Sequence, residues 1–114
     1  TVLTAVNSKM RLAHEEIFGP VAPIFKFKNE ADVIRLANDT EFGLASYFYS
    51  KDINRCFRVA EAIECGMVGI NTGMLSTAAA PFGGVKSSGV GREGGRYGLD
   101  EYQELKYICL GGMT

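Results

Sequence analysis

The sequence is poor in the residues that build metal centres and disulfide frameworks. It contains a single histidine, His14, and three cysteines, an odd number without a Cys-x-x-Cys pair. A metal cluster therefore has few ligands available, and we expect neither a metal site nor a set of disulfide bonds. This cysteine usage fits a reducing, intracellular setting. We expect a cytoplasmic location, with the mitochondrial matrix left open.

An excess of charge and long apolar runs are also missing. The formal net charge is −1, with 22% charged residues, so no strong electrostatic field attracts nucleic acid or an anionic membrane. No apolar run approaches the roughly 20 residues that a membrane-spanning helix requires. We therefore expect no nucleic-acid partner and no membrane partner.

The length limits what the chain can do by itself. Its 114 residues can form one hydrophobic core, but they are few for an enzyme with a dinucleotide site. The sequence begins at Thr1, and residues 2–6 have the pattern of a strand already in progress. We expect the chain to be a piece of a longer protein.

Strand and helix patterns alternate along the chain. Short apolar segments that are typical of strands occur at residues 22–27, 45–50 and 67–70. Two helices are predicted between them, with Asn29 and Asp52 as their N-caps. The order β-α-β-α-β predicts an α/β fold with a parallel sheet.

The predicted second helix has an apolar face and a glycine after its end. The apolar residues recur at spacings of three and four, at Ile53, Cys56, Phe57, Ala60 and Ile63. Gly66 suits the left-handed position that often ends a helix. Residues 93–102 favour a short helix only weakly because glycines interrupt them.

Residues 105–110 alternate as a final strand. Nothing else in the sequence is predicted to cover the second edge of this strand, so it favours pairing with another chain.

Residues 89–94 match the pattern G-x-G-x-x-G, but their context argues against a dinucleotide fingerprint. That fingerprint needs a strand directly before it, a helix that opens on it, and an acidic residue about 20 positions later. Here a polar Lys-Ser-Ser triplet precedes the glycines and a glycine-broken segment follows. We reject this interpretation.

The segment after the third predicted strand is the candidate ligand site. Ligands of open parallel sheets bind beyond the carboxyl ends of the strands, where residues 71–76 bring hydroxyl and amide groups and Phe82 adds an aromatic ring. Such a set could hold an organic substrate at one end and pack it at the other. The alternative is a polar loop capped by a packed phenylalanine.

Four sequence motifs indicate a resemblance to a known family. EEIFGPV occupies residues 15–21 and PFGGVKSSGVGREG residues 81–94, with ASYFYS and GMVGINTG between them. In this order and at this separation they resemble the C-terminal portion of an aldehyde dehydrogenase, in particular of succinate-semialdehyde dehydrogenases. The resemblance implies that residues 1–102 are part of the catalytic domain and that residues 103–114 form a strand for homo-oligomer assembly.

The same resemblance implies an activity whose catalytic groups lie elsewhere. The parent enzyme would oxidise the aldehyde succinate semialdehyde to succinate with NAD or NADP, through a cysteine thioester. The family places its nucleophile in a Gly-Gln-x-Cys phrase and its base in a Glu-Leu-Gly-Gly phrase, and neither phrase occurs here. We therefore assign no catalytic residue to this chain and expect it to be inactive alone.

Four residues match binding positions of the family. The resemblance implies that Glu16 accepts hydrogen bonds from the cofactor ribose and that Phe18 packs beside the nicotinamide. It implies that Ser76 helps to hold the substrate carboxylate and that Phe82 lines the aldehyde tunnel. Without the resemblance, Glu16 reads as a solvated charge and Phe18 as a core residue.

Two alternatives stay open at this point. Residues 74–75 and 77–80 depart from the family pattern, which leaves the chain length of the substrate open and admits glutarate semialdehyde or a related aldehyde. The chain could instead be a truncated, non-catalytic module whose last strand docks on a partner sheet. The preference between NAD and NADP depends on residues outside this sequence.

Overall fold

The computed structural model describes residues 1–112, in which short strands alternate with two α-helices. The helices are α1 (Glu30–Asn38) and α2 (Ile53–Ala62). The strands are β1 (Val2–Leu3), β2 (Ala22–Pro23), β3 (Phe42–Gly43), β4 (Ala45–Phe48), β5 (Met67–Ile70) and β6 (Val85–Lys86). Two 3₁₀ helices span Arg11–Ala13 and Tyr97–Tyr102.

Both α-helices begin at the caps that the sequence predicts. The Asn29 side chain accepts a hydrogen bond from the Asp32 amide at 2.9 Å. The Asp52 carboxylate accepts from the amides of Asn54 and Arg55 at 2.9 and 3.2 Å. Each cap satisfies amide groups that the first turn of a helix leaves without partners.

An ion-pair cluster joins the two helices. Glu30, in the first turn of α1, accepts hydrogen bonds from Arg55 and Arg58 of α2. The hydrogen bond from Arg58, opposed by some desolvation and aided by Arg55, lowers the pKa of Glu30 from 4.5 to about 2. These ion pairs hold the first turn of α1 against the exposed side of α2.

A parallel strand pair lies beneath α2. β4 and β5 pair in register from Ala45 with Met67 to Phe48 with Ile70, and α2 is the crossover between them. The helix covers the pair with its two buried side chains, Cys56 and Val59. The predicted α/β class with parallel strands is confirmed.

The first predicted strand has a different partner from the one expected. β2 pairs in parallel with β1, not with β4, so α1 connects two separate sheets in the described chain. The amides of Ala22 and Ile24 donate to the carbonyls of Thr1 and Leu3 at 2.8 and 2.9 Å. Pro23 lies between Ala22 and Ile24, so its lack of an amide hydrogen costs no hydrogen bond to β1.

An antiparallel pair that the sequence did not predict holds the glycine-rich segment. β3 pairs with β6, with Phe42 opposite Lys86 and Gly43 opposite Val85. Ser88 adds to this pairing, because its hydroxyl accepts a hydrogen bond from the Gly43 amide at 2.9 Å. The segment is therefore fixed beside the start of the β4–β5 pair.

Gly66 has a different role from the one predicted. Its backbone is not left-handed, and α2 ends instead at Ala62, followed by Ile63, whose backbone is extended. A Cβ atom at Gly66 would overlap the carbonyl oxygen of Gly83. The glycine is required because the glycine-rich segment passes close to it, not because a helix ends there.

Part of the predicted apolar face of α2 lies on the surface. Ile53 is 65% exposed and Phe57 is 62% exposed, whereas Cys56 is buried. The β4–β5 pair covers only the side of α2 that carries Cys56 and Val59. Ile53 and Phe57 therefore form an exposed apolar strip along α2.

The C-terminal tail, residues 103–112, has neither helix nor strand in the described chain, and its side chains are exposed. The predicted assembly strand falls in this tail, and Met113 and Thr114 lie outside the described residues. A strand needs a partner for its ladder, so the assembly role stays a prediction. No helix in the described residues is long and apolar enough to cross a membrane.

Candidate functional site

The candidate site begins where β5 ends, at Asn71. The Asn71 side chain exchanges two hydrogen bonds with the Ser50 backbone, since its Oδ1 accepts from the Ser50 amide and its Nδ2 donates to the Ser50 carbonyl, both at 2.8 Å. Asn71 also has a left-handed backbone, with φ 57°. Because Ser50 follows β4, this contact ties together the carboxyl ends of both parallel strands.

Ser76 lies in the loop that leaves Asn71. Its side chain is exposed, as are those of most of its neighbours. The nearby hydrogen bonds are local, with the Thr72 hydroxyl accepting from the Met74 amide at 3.2 Å. The loop is next tied to a distant residue at Ala78, whose carbonyl accepts from the Gly95 amide at 2.9 Å.

Phe82 is held by its backbone. It forms an isolated antiparallel bridge with Glu93, in which the two amides donate to the opposite carbonyls at 2.7 and 2.8 Å. Its half-buried side chain lines an open cavity of about 370 Å³ between the glycine-rich segment and the Tyr97–Tyr102 helix. Phe82 therefore presents its ring to a cavity, and its place in an aldehyde tunnel stays a prediction.

Arg92 supports this segment from within. Its Nη1 atom donates to the carbonyls of Gly84 and Gly91, both at 2.7 Å. Arg92 therefore has a structural role, because it joins two backbone positions of the glycine-rich segment.

Lys86, in β6, attaches the glycine-rich segment to the end of α1. Its ammonium group donates to the carbonyls of Asn38 and Thr40 at 2.9 and 3.3 Å and pairs with the Glu64 carboxylate at 2.7 Å. These three acceptors match the three donors of an ammonium group. The positive charge also lies at the C-terminal end of α1, where the helix dipole favours it.

Glu16 lines a second cavity, of about 540 Å³, together with Ser46, Cys65 and Ser88. Its neighbour Glu15 is engaged elsewhere, because Arg11 donates two hydrogen bonds to it at 2.7 and 2.8 Å. These bonds lower the pKa of Glu15 below its ordinary value. The adjacent glutamates thus have different surroundings, and the one at the cavity is Glu16.

Phe18 is almost fully on the surface, with 96% of its area exposed. The reading of this residue as part of the hydrophobic core is therefore wrong for the described chain. Its exposed ring is free to contact a ligand or another part of a larger protein.

The two cavities adjoin. Leu44 and Ser88 border both of them, so Glu16 and Phe82 line neighbouring spaces. Phe18 and Ser76 line neither cavity. Glu16 and Phe82 thus line cavities that share bordering residues, whereas Phe18 and Ser76 are exposed, and the binding roles of all four residues stay predictions.

The cysteines and the histidine have other surroundings. Cys56 is buried in α2, Cys65 is half-buried and Cys109 is exposed. His14 Nε2 lies 2.6 Å from the Ser8 carbonyl. Among residues 1–112, no cluster of three or more histidine, cysteine or acidic side chains could hold a metal ion.

Sequence reasoning assigned no role to Lys86, and it counted the Asn71 amide group among the groups for a ligand, whereas the structure engages that group with the Ser50 backbone. Both make contacts to residues that are distant in sequence, since Asn71 reaches Ser50 and Lys86 reaches Asn38. A left-handed backbone at a non-glycine residue is also invisible in sequence, although asparagine is one of the residues that tolerate it.

Comparison with known proteins shows a strong similarity along nearly the whole chain. The chain is 62% identical over 113 residues to 3-sulfolactaldehyde dehydrogenase of Pseudomonas putida. It is 59% identical over 113 residues to glutarate-semialdehyde dehydrogenase of Pseudomonas aeruginosa. It is 60% identical over 111 residues to the NADP(+) succinate-semialdehyde dehydrogenase of Escherichia coli. These alignments cover 97–99% of the chain and 23% of each relative.

A solved structure agrees with the sequence comparison. Succinate-semialdehyde dehydrogenase from Burkholderia pseudomallei superposes with a TM-score of 0.91 at 62% identity, over 96% of this chain and 23% of that one. The chain thus spans about a quarter of the length of the proteins it matches. The sequence profile described as the aldehyde dehydrogenase family matches residues 1–108. The chain belongs to the aldehyde dehydrogenase family.

Proposed function

We propose that this chain is the C-terminal part of an NAD(P)-dependent dehydrogenase that oxidises succinate semialdehyde to succinate. The observation that carries the proposal is its identity of about 60% to dehydrogenases named for aldehydes that bear an acidic group. Succinate and glutarate semialdehydes carry a carboxylate at the end opposite the aldehyde, and 3-sulfolactaldehyde carries a sulfonate. The substrate class is therefore an aldehyde with an anionic end.

Two residues of the loop after β5 suit such a substrate. Ser76 is exposed and can donate a hydrogen bond to the anionic end. Phe82 presents an aromatic surface at the edge of a cavity, against which the carbon chain can pack. Ser76 would orient the substrate, and Phe82 would exclude water from its apolar part.

Glu16 and Phe18 suit the nicotinamide half of the cofactor. The Glu16 carboxylate faces an open cavity, and a carboxylate is a suitable acceptor for the two hydroxyls of a ribose. The exposed ring of Phe18 can pack beside the nicotinamide. The cofactor, NAD or NADP, supplies the hydride acceptor when it is bound.

The residues that react with the aldehyde would come from outside residues 1–114. Cys56 is buried in α2, the Cys65 thiol donates to the Met67 carbonyl at 3.0 Å, and Cys109 lies in the exposed tail. We propose that the chain contributes substrate and cofactor contacts and that the remainder of the parent enzyme contributes nucleophile and base.

The proposal is tested on the full-length parent with three aldehydes and one variant. We expect kcat/KM to be highest for succinate semialdehyde, lower for glutarate semialdehyde and lowest for butanal, which lacks the carboxylate. Ser76→Ala should lower kcat/KM for succinate semialdehyde by about 1.5–3 kcal/mol in transition-state binding, the range for hydrogen bonds to charged groups. The same variant should leave kcat/KM for butanal unchanged.

The controls separate the possible failures. Ser8→Ala removes a hydroxyl from an exposed position in the N-terminal segment, and we expect no effect on either substrate. An equal loss on butanal would remove Ser76 from the carboxylate site. A parent enzyme that prefers butanal would overturn the substrate class itself.

Glutarate semialdehyde is the second candidate substrate, because the relative named for it is 59% identical to this chain over nearly its full length. A higher kcat/KM for the five-carbon than for the four-carbon semialdehyde would select it. A truncated, non-catalytic module is the remaining alternative, and a parent that lacks both catalytic phrases upstream of Thr1 would select that one.

We also propose that residues 103–114 are a strand for homo-oligomer assembly. The apolar side chains of this tail are exposed in the described chain, among them Leu105, Ile108 and Leu110. Their burial against a second subunit would stabilise the assembly through the hydrophobic effect.

A further inference from the structure

The segment that carries Ser76 is fixed at two points. On one side, Asn71 exchanges its two hydrogen bonds with the Ser50 backbone. On the other side, the Ala78 carbonyl accepts a hydrogen bond from the Gly95 amide. Between these points, residues 72–77 make only local hydrogen bonds in the described chain, such as that between Thr72 and Met74. The position of Ser76 therefore depends on what holds the two ends.

The two ends differ in how they are held. The bond between Ala78 and Gly95 joins backbone atoms, which most substitutions leave in place. The contact between Asn71 and Ser50 depends on one side chain, because only the carboxamide of Asn71 can both accept from an amide and donate to a carbonyl there. The Asn71 amide also donates to the Phe48 carbonyl at 2.9 Å, a backbone bond that continues the β4–β5 ladder. Substitution of Asn71 therefore removes the side-chain clamp at this end selectively and leaves the ladder in place.

The backbone of Asn71 points to the same role. Ala5, Asn71 and Lys86 are the non-glycine residues with positive φ in residues 1–112, and Asn71 has φ 57°. A non-glycine residue keeps such a conformation where its surroundings over-determine it. The reciprocal bonds to Ser50 supply that constraint, and the left-handed residue turns the chain away from β5 at the point where the loop begins.

We infer that Asn71 is a positioning residue, which sets the place of Ser76 by clamping the start of the loop to the end of β4. This inference rests on the proposed function, since it concerns the selection of aldehydes with an anionic end. It adds a determinant of specificity that need not touch the substrate. The determinant is the contact between Asn71 and Ser50, which follow the two parallel strands β5 and β4.

The decisive variant is Asn71→Gly in the full-length parent. Glycine adopts positive φ without strain, so the variant removes the clamp and keeps the backbone conformation accessible. We expect the ratio of kcat/KM for succinate semialdehyde to that for butanal to fall roughly tenfold, the equivalent of one hydrogen bond to a charged group. The loss should lie mainly in KM for the semialdehyde, with KM for the cofactor unchanged.

Two matched controls accompany it. Ala5→Gly replaces another left-handed residue, with φ 57°, by glycine far from the loop in sequence. Ser50→Ala removes the side chain of the clamp partner and keeps both backbone atoms that Asn71 contacts. We expect both controls to keep the wild-type substrate ratio.

Hydrogen exchange gives a readout that does not depend on catalysis. The amides of residues 72–77 should exchange faster in Asn71→Gly than in wild type, and those of α2 should not. An unchanged substrate ratio in Asn71→Gly overturns the inference, whether or not exchange increases. A wild-type enzyme without preference for the carboxylated aldehyde overturns the proposed function instead, and that result is visible before any variant is compared.

Discussion

Glu15 and Glu16 are neighbours in the sequence, yet only one of them is available to a ligand. Arg11 engages Glu15 through two hydrogen bonds, whereas Glu16 lines the cavity beside Ser88. The sequence alone leaves both as possible solvated charges. Their different surroundings arise because the turn of the 3₁₀ helix Arg11–Ala13 brings the Arg11 side chain to Glu15, four residues later in the sequence.

This difference makes a sharp prediction for the cofactor. In the full-length parent, Glu16→Gln removes the charge of the proposed ribose acceptor, and KM for NAD(P) should rise about tenfold, as for a lost hydrogen bond to a charged group. KM for the semialdehyde should stay at its wild-type value. Steady-state kinetics with each substrate varied in turn measures both quantities.

Glu15→Gln is the matched control, since it removes the same charge one residue away. We expect it to leave KM for the cofactor unchanged. An equal rise in both variants would indicate a general effect of charge and would remove Glu16 from the cofactor site.

At the scale of elements, sequence prediction succeeded where the cause is local. Asn29 and Asp52 cap helices through contacts to residues two or three positions later, so their roles can be read from neighbouring letters. Gly66 shows the opposite case, because its reason is the close approach of Gly83, 17 residues further along the chain. Asn71 and Ser50 likewise meet only after the β4–β5 pair has formed.

The pairing partner of β2 could not be predicted from the sequence either. The segments that became β2 and β4 have similar apolar patterns, yet β2 pairs with β1 and β4 with β5. A two-residue strand such as β2 carries too little pattern to specify its partner. Of the candidate site, the loop and its aromatic residue could be proposed from the sequence, whereas the contacts that hold the loop in place could not.

The ion-pair cluster between α1 and α2 predicts a pH dependence. Hydrogen bonds from Arg58 and Arg55 lower the pKa of Glu30 from 4.5 to about 2. A carboxylate whose pKa is lower in the folded than in the unfolded state stabilises the fold above its unfolded pKa. That contribution is lost as the pH falls from about 4.5 towards 2.

Glu30→Gln should therefore destabilise the parent most at neutral pH. The difference in the urea midpoint between wild type and variant should be constant down to about pH 5 and should shrink below it. Glu61→Gln, which changes an exposed residue of α2, is the control. A difference that stays constant to pH 2 would show that the charge of Glu30 does not contribute.

At the scale of the whole molecule, the chain by itself leaves much apolar surface in water. Its radius of gyration is 19.5 Å, against roughly 13 Å for a compact domain of about 100 residues. Among residues 1–112, the buried apolar side chains are those of Cys56 and Val59, while Ile53 and Phe57 of α2 are exposed. Surfaces of this kind are normally covered by other parts of a protein or by a partner, which agrees with a chain that spans a quarter of its relatives.

The tail allows the proposed assembly to be tested at a single backbone position. A strand that pairs with a second subunit donates amide hydrogen bonds to it, and proline has no amide hydrogen. Tyr107→Pro in the full-length parent should therefore weaken the assembly, whereas Tyr107→Phe, which keeps the amide and the ring, should not. Sedimentation analysis over a range of concentrations measures the effect as a shift towards smaller species.

The choice of Tyr107 follows from its place in the tail. It lies in the middle of residues 105–110, where a strand of this length makes central ladder contacts, and its side chain is exposed in the described chain. Removal of the whole tail would also delete the apolar side chains, so it could not distinguish a ladder from simple burial. If Tyr107→Pro assembles like the wild type, the tail does not pair through its backbone at this position, and assembly by an added strand is excluded there.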